Sequence, residues 1–231
     1  MMALGPLAVP HALAQPGLLE RHRPVLRYDR EERHFATSVA SLTGAARLER
    51  KKGADVSRPA PAFLGARYGD GLRASESDRL RRQDKPPLTG PLVYGRAARD
   101  GDGRSWLQYW LFFADNTQDR GIVRTGRHTG DWELMQIRLA QDGMPVEVTL
   151  AQHTWAEGCR WPRMERVGEA PVIYVANGSH ALLSRPGTSD RPFPDPNDEA
   201  DGQGRRVRPP LEPITADSPR WMSWPGRWGA S

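Results

Sequence analysis

Two carboxylates stand two residues apart in the segment Gly126-Arg127-His128-Thr129-Gly130-Asp131-Trp132-Glu133, and the alternating apolar residues Met135, Ile137 and Leu139 follow them. On a strand, the two-residue period places Asp131, Glu133 and those three core side chains on one face. Burying two like charges side by side is costly unless a cation or hydrogen bonds offset the desolvation and the repulsion. A metal ion is one answer; arginines such as Arg127 or Arg138 are another. His128 lies three residues before Asp131 on a glycine-flanked turn and can fold back toward the same point. Asp115 closes the aromatic run Leu111-Phe-Phe-Ala-Asp115 and on alternation shares a face with Leu111 and Phe113. Asp115, His128, Asp131 and Glu133 are therefore the candidate metal ligands. An oxygen-rich set with one imidazole suits Ca2+, Mg2+ or Mn2+ and does not select zinc strongly.

His153 closes the run Val-Thr-Leu-Ala-Gln-His153, and His180 closes Ala176-Asn-Gly-Ser-His180. All three histidines beyond residue 100 thus fall at strand ends, where a rigid sheet presents functional groups on loops. As catalytic groups, His153 and His180 would serve as general acid or base beside a cation that activates water. As structural groups, they would be core histidines bonded to backbone carbonyls. The chain carries no nucleophile elbow, phosphate loop or zinc-protease motif. Ser179 and His180 are adjacent in an extended segment, so they point to opposite faces and make no triad.

The elements that must hold these groups are read from punctuation and period. With 23 glycines and 21 prolines in 231 residues, long uninterrupted helices have little room. Strands are predicted over 91–95, 105–114, 131–139, 146–152 and 172–176, and the Asp142-Gly143 turn joins two of them as an antiparallel hairpin. The stretch 24–29 reads as extended. Residues 37–50 read as a helix, with Thr37 or Ser38 as N-cap and Val39, Leu42 and Leu48 facing inward. Residues 52–90 read as a loop with helical turns near 75–82. The fold class that follows is mainly β: an antiparallel β-sandwich with long loops and one or two short helices in the N-terminal third. The closing Trp221, Trp224 and Trp228 are expected to pack onto the body, since a free tail would leave large apolar surfaces in water. One domain is assigned to 20–231 and a separate arm to 1–19.

Composition narrows the partners. The net charge of +5 comes from arginines interspersed with carboxylates, as in Arg30-Glu-Glu-Arg33 and Asp78-Arg79-Leu-Arg-Arg82, and not from a basic tract. No nucleic-acid role is expected from such a pattern. Cys159 is the sole cysteine, which excludes an internal disulfide and a zinc site built on several thiolates. No stretch approaches the roughly 20 apolar residues of a membrane span. Residues 3–14 form a short apolar stretch ending in Ala12-Leu13-Ala14, similar to the end of a signal peptide but without the basic leading region. Secretion or the cell envelope is the expectation drawn from it, with the cytoplasm as the alternative.

His128-Thr-Gly-Asp-Trp-Glu133, Ala151-Gln-His153, Val172-Ile-Tyr-Val-Ala-Asn-Gly-Ser-His-Ala181 and the closing Trp224-Pro-Gly-Arg-Trp228-Gly229 resemble the vacuolar-protein-sorting sixty-two family. Pro24-Val-Leu-Arg-Tyr-Asp29, Glu32 and Thr37-Ser-Val39 resemble its opening segment, so the likeness spans most of residues 20–229. The resemblance implies a β-sandwich. More distantly, the chain is similar to the necrosis- and ethylene-inducing-like proteins, whose Gly-His-Arg-His-Asp-Trp-Glu heptapeptide binds a divalent cation at a strand start. That similarity carries the first histidine onto His128, the aspartate onto Asp131, the glutamate onto Glu133 and an upstream aspartate onto Asp115. Gly130 stands where those proteins have their second histidine, and the loop from Asp115 to His128 differs in length. These departures weigh against a membrane-lipid toxin.

Three functions follow. The first is a β-sandwich that uses the cation to hold a small polar ligand, a glycan or a lipid headgroup; a membrane surface enters only through that headgroup. The second is a metal-dependent hydrolase of an ester or phosphoester. The third is a structural domain whose carboxylates are locked by arginines. Nothing in the sequence specifies an oligomeric state.

Overall fold

The computed structural model of the chain describes residues 16–43, 47–49, 55–59, 71–73, 90–118, 128–153, 155–193 and 195–215. Helix α1 (Pro16–Arg21) leads into β1 (Val25–Tyr28), and helix α2 (Ala40–Thr43) precedes β2 (Arg47–Glu49), β3 (Asp55–Pro59) and β4 (Gly71–Arg73). The longest strands follow: β5 (Val93–Arg99), β6 (Ser105–Asn116), β7 (His128–Leu139), β8 (Pro145–Gln152) and β9 (Trp155–Arg160). The remainder is β10 (Arg166–Val167), β11 (Ala170–Val175), β12 (Leu182–Leu183), β13 (Gly187–Ser189), β14 (Asp198–Ala200), β15 (Arg206–Val207) and β16 (Leu211–Pro213). The protein is mainly β, as the punctuation predicts.

A six-stranded sheet runs β16-β5-β6-β7-β8-β9, and a five-stranded sheet runs β10-β11-β1-β15 with β12 paired to β11. Their facing residues make one core. Leu107, Tyr109, Leu111, Phe113, Met135, Ile137, Val148 and Leu150 from the large sheet meet Leu26, Tyr28, Ile173, Val175 and Leu182 from the small one. Along β7 the period of two is kept, with Glu133, Met135, Ile137 and Leu139 buried and the residues between them half-buried. β11 is buried at every position, because Val172 and Tyr174 on its second face are covered by a smaller cluster that includes Ala181 and Ala200. A strand covered on both faces reads as a continuous apolar run.

The β7–β8 hairpin forms around the Asp142-Gly143 turn, where Gly143 takes a φ of 84°. Two departures from the predicted layout have local causes. β1 pairs with β11, and β16 with β5, in parallel, so the sheets are mixed and not wholly antiparallel. The helix predicted for 37–50 is reduced to Ala40–Thr43. Thr37 is drawn into an isolated bridge with Pro91 and donates its N–H to the carbonyl of Phe112 at 2.8 Å, while the N–H of Val39 donates to the Tyr94 hydroxyl at 3.0 Å. Farther on, Arg47, Leu48 and Glu49 pair with both β3 and β4. Tertiary pairing overrides a weak local propensity here. The turns expected near 75–82, Arg127, residues 1–15 of the arm assigned to 1–19 and the tryptophans of the tail lie outside the described residues.

Candidate functional site

One end of the sandwich collects polar groups from separate elements: the loop after β1, the last residues of β6, the start of β7, the end of β8, the β11–β12 turn and β14. His180 is its buried hinge. The ring is wholly inaccessible and lies flat on Phe113, with centroids 3.9 Å apart and planes within 2°. Its Nδ1 is 2.9 Å from Oδ2 of Asp131, and its Nε2 is 3.7 Å from Oε2 of Glu32. Phe113 and Asp131 are direct cross-strand partners in the β6–β7 pair, so one strand supplies the platform for the ring and the next supplies its acid.

Glu32 is 4% exposed. Its Oε2 accepts the N–H of Gly178 at 2.6 Å and its Oε1 accepts the N–H of His34 at 2.5 Å. Burial by itself would raise this carboxyl, yet the His180 cation and the two N–H groups hold it down at about 2. Burial would likewise lower His180, and the charges of Glu32 and Asp131 lift it to about 9. The imidazole is therefore a buried cation between two carboxylates at neutral pH. The turn that delivers it places Gly178 at a φ of 73°, a backbone conformation strained for any residue with a Cβ.

Asp131 extends the network outward. Its Oδ2 also accepts from Nδ2 of Asn116 at 3.1 Å, and its Oδ1 lies 3.9 Å from Nε2 of His128. Gly130, at a φ of 74° inside β7, breaks the alternation between His128 and Asp131 and lets the two side chains approach. Asn116 accepts the N–H of Gln118 on its Oδ1 at 3.0 Å, and Gln118 reaches Oδ1 of Asp198 through Nε2 at 3.4 Å. Asp198 is fully buried. His153 Nε2 stands 3.3 Å and 3.2 Å from its two oxygens, and the His153 side chain keeps 22% exposure. His153 and His180 are the two non-glycine residues with positive φ among those described, at 50° and 61°. Such backbone costs on the order of 1–3 kcal/mol and clusters at functional sites.

Glu133 is buried on β7 two residues beyond Asp131. It is 5% exposed, and its carboxyl is raised well above the usual range by burial first and then by the charges of Asp131 and Asp198. The structure thus brings His128, Asp131 and Glu133 toward one another and adds His180 beneath them. Asp115 is 3% exposed and sits opposite Thr129, one pair beyond the strand partners of Asp131 along the same face. Among the described residues, no three His, Cys, Asp or Glu side chains are arranged as a formed metal cage. Arg138 bonds Glu147 at 3.1 Å and not the acidic pair; among the described residues, the buried cation that Asp131 meets is His180.

Sequence reasoning did not single out Asn116, Gln118 or Asp198 as site residues. Asp198 is one aspartate in the run Asp190 to Asp201, and only its burial against His153 distinguishes it. Glu32 stands in the charged run Arg30-Glu-Glu-Arg33 and in a family resemblance, neither of which marks it as a site residue.

Fold and site together define a mainly β, two-sheet protein with a buried acid–histidine cluster at one end of the sandwich. No protein-family profile matches the chain, and no curated protein does. Among solved structures, necrosis and ethylene inducing protein 2 from the causal agent of cocoa's witches' broom disease is similar at 14% identity, over 90% of this chain and 74% of that one, with a TM-score of 0.44. NLPPya in complex with glucosamine is similar at 15% identity over 85% and 71%, with a TM-score of 0.45. The non-toxic HaNLP3 protein is similar at 14% identity over 90% and 75%, with a TM-score of 0.44.

Proposed function

We propose that the protein binds a divalent cation at the end of its sandwich and uses it to hold a small polar ligand, a glycan or a lipid headgroup. The observation that carries this is Glu133. A carboxyl 5% exposed and flanked by the charges of Asp131 and Asp198 is held in an environment that a cation would relieve. The donors fit a hard divalent ion by their chemistry: carboxylates at Asp131 and Glu133, one imidazole at His128, and Asp115 as the further acid that the resemblance carries over. Bound there, Ca2+, Mg2+ or Mn2+ would supply positive charge and open coordination positions for hydroxyl or phosphate oxygens. The chain's own part is to fix Asp131: His180 and Asn116 both engage its Oδ2, leaving Oδ1 turned toward His128. The likeness to the vacuolar-protein-sorting sixty-two family rests on the quoted motifs and belongs to this reading, as does export, which the apolar segment 3–14 supports.

Calorimetric titration of metal-stripped protein with Ca2+, Mg2+ and Mn2+ tests the proposal, followed by amino sugars and glycerophosphate in the presence of the ion that binds. Saturable uptake that Glu133→Gln abolishes is expected. Absence of uptake by the wild-type protein overturns it.

One observation favours a second reading, a metal-dependent hydrolase. His153 is solvent-accessible and backed by the buried carboxylate of Asp198, an arrangement that orients an imidazole for proton transfer. Turnover of chromogenic phosphoesters or esters that depends on added metal and disappears in His153→Ala would select it.

A further inference from the structure

The six-stranded sheet ends in two unequal edges. β16 is three residues long, ends at Pro213 and follows Pro209-Pro210; proline guards an edge because it offers no N–H to a further strand. β9 is six residues long, Trp155–Arg160, with neither proline nor lysine. It is last in the strand order and pairs with β8 alone. Gln152 and Trp155, with two residues between them, are the first pair of the β8–β9 ladder. A connection of that length closes on a hydrogen-bonded pair, so Trp155, Glu157 and Cys159 direct their backbone groups to β8. The alternation turns the N–H and C=O of Ala156, Gly158 and Arg160 outward. These three residues are exposed, and among the described residues no backbone group bonds to them from that side. Trp155, at the head of the same strand, is 52% exposed.

We infer that β9 is a pairing edge for a second copy of this chain, joined antiparallel about a two-fold axis at Gly158. The free backbone groups select the register. Centring on Gly158 matches Gly158 with Gly158 and Ala156 with Arg160, and so uses the outward groups of all three residues. Centring on Glu157 would set two carboxylates face to face. Centring on Cys159 would set Ala156 against Pro162, which has no N–H. The side chains agree with the axis at Gly158: Arg160 meets Ala156 and Glu157 meets Cys159, so no like charges oppose each other. Trp155 of each copy falls opposite Trp161 of the other, just past the end of β9, and Trp161 is already packed against the core cluster. Aromatic pairs across an antiparallel ladder are stabilising, and the exposed indole gains a cover that the single chain does not give it. The strand is complementary to itself, which favours a second copy over an unrelated extended peptide. The same pairing brings Trp161 of one copy beside the β8–β9 turn that carries His153 in the other.

Sedimentation equilibrium of the full chain over a concentration series tests the pairing. Reversible dimerisation of the wild-type protein is expected. Gly158→Lys should weaken it by about 5-fold, because this register sets the two lysines directly opposite each other, and Gly158→Glu should do the same. Mixing those two variants should restore a dimer of mixed composition, since opposite charges then face each other. A charge at 158 that merely disturbed the fold would not show that rescue. Circular dichroism checks that each variant folds. Should the substitutions at 158 fail to fold, position 156 decides: Ala156→Lys opposes Arg160 and should weaken the dimer, while Ala156→Glu should strengthen it. A wild-type protein that stays monomeric throughout the series overturns the inference. A dimer that charges at 156 and 158 leave unchanged overturns it too, because its interface then lies elsewhere. Both positions lie outside the acid–histidine cluster, so these outcomes are independent of cation binding.

Discussion

Two histidines stand at the same end of the sandwich in the left-handed backbone region, each against an aspartate. His180 has no accessible surface, a phenyl ring against its face and two carboxylates at its nitrogens. His153 keeps 22% of its side chain in solvent and meets one carboxylate, which is itself fully buried. In the first pair the imidazole is the buried partner and the aspartate reaches outward; in the second the order is reversed. Residue type therefore says little about role at these positions. Depth decides it: the inner pair sets the geometry of Asp131, and the outer pair presents an imidazole at the rim.

Removing the inner imidazole should produce the largest effect. His180→Ala leaves Glu32 and Asp131 as buried carboxylates without their cation and strips the ring from Phe113. Breaking a buried ion pair on one side costs about 3–5 kcal/mol, and urea unfolding near pH 6 should show a loss of that order. A loss under about 1 kcal/mol would mean that the inner pair does not organise this end of the fold.

The pH dependence of stability sharpens the same contrast. His180 is raised from 6.5 to about 9, so its contribution is complete below 6.5 and is lost as pH rises through 9. Glu32 is lowered from 4.5 to about 2, so its contribution is complete above 4.5 and is lost as pH falls toward 2. Stability should be greatest between about pH 4.5 and 6.5 and fall by a few kcal/mol on either side. His180→Gln should flatten the alkaline limb, while His153→Gln should leave that limb in place. Chemical denaturation across pH 3 to 10 measures both.

Glu133 shifts in the opposite sense from Glu32, and the sign of its effect reverses with it. An acid whose folded pKa is raised disfavours folding as pH climbs above its unfolded value. Glu133→Gln should accordingly stabilise the metal-free protein by about 1 kcal/mol at pH 7 and have little effect at pH 4. The same substitution should cancel any rise in melting temperature that Mn2+ gives the wild-type protein. Greater intrinsic stability with loss of cation response is the signature of a strained binding group; destabilisation at pH 7 would show that Glu133 serves packing.

How much of this was legible in the sequence depends on whether period or contact carried the information. The shared face of Asp131, Glu133, Met135 and Ile137 followed from a two-residue repeat, and the β7–β8 hairpin from Asp142-Gly143; both are local. The parallel pairing of β1 with β11 joins residues 25–28 to 172–175, and no local pattern encodes a contact of that range. Glu32 and Asp198 reach the site through such long connections. Each is one acid among many in its stretch, and only burial separates it from the rest. The short helix at 40–43 failed to extend because Thr37 and Val39 are captured by Phe112 and Tyr94, partners more than 50 residues away in the chain.

The smallest effect should come from the outer pair. His153→Ala removes a partner of Asp198, but Gln118 still donates to that carboxylate, and the lost side chain was part-exposed. Partly exposed ion pairs are worth about 1 kcal/mol or less. Replacing a non-glycine residue at a φ of 50° with glycine should moreover relieve backbone strain, so His153→Gly should be closer to wild type in stability than His153→Ala. Thermal unfolding of the two variants at pH 6 measures the difference. If His153→Ala instead costs as much as His180→Ala, Asp198 depends on its histidine as fully as Asp131 does, and the distinction between a buried organiser and a rim group fails.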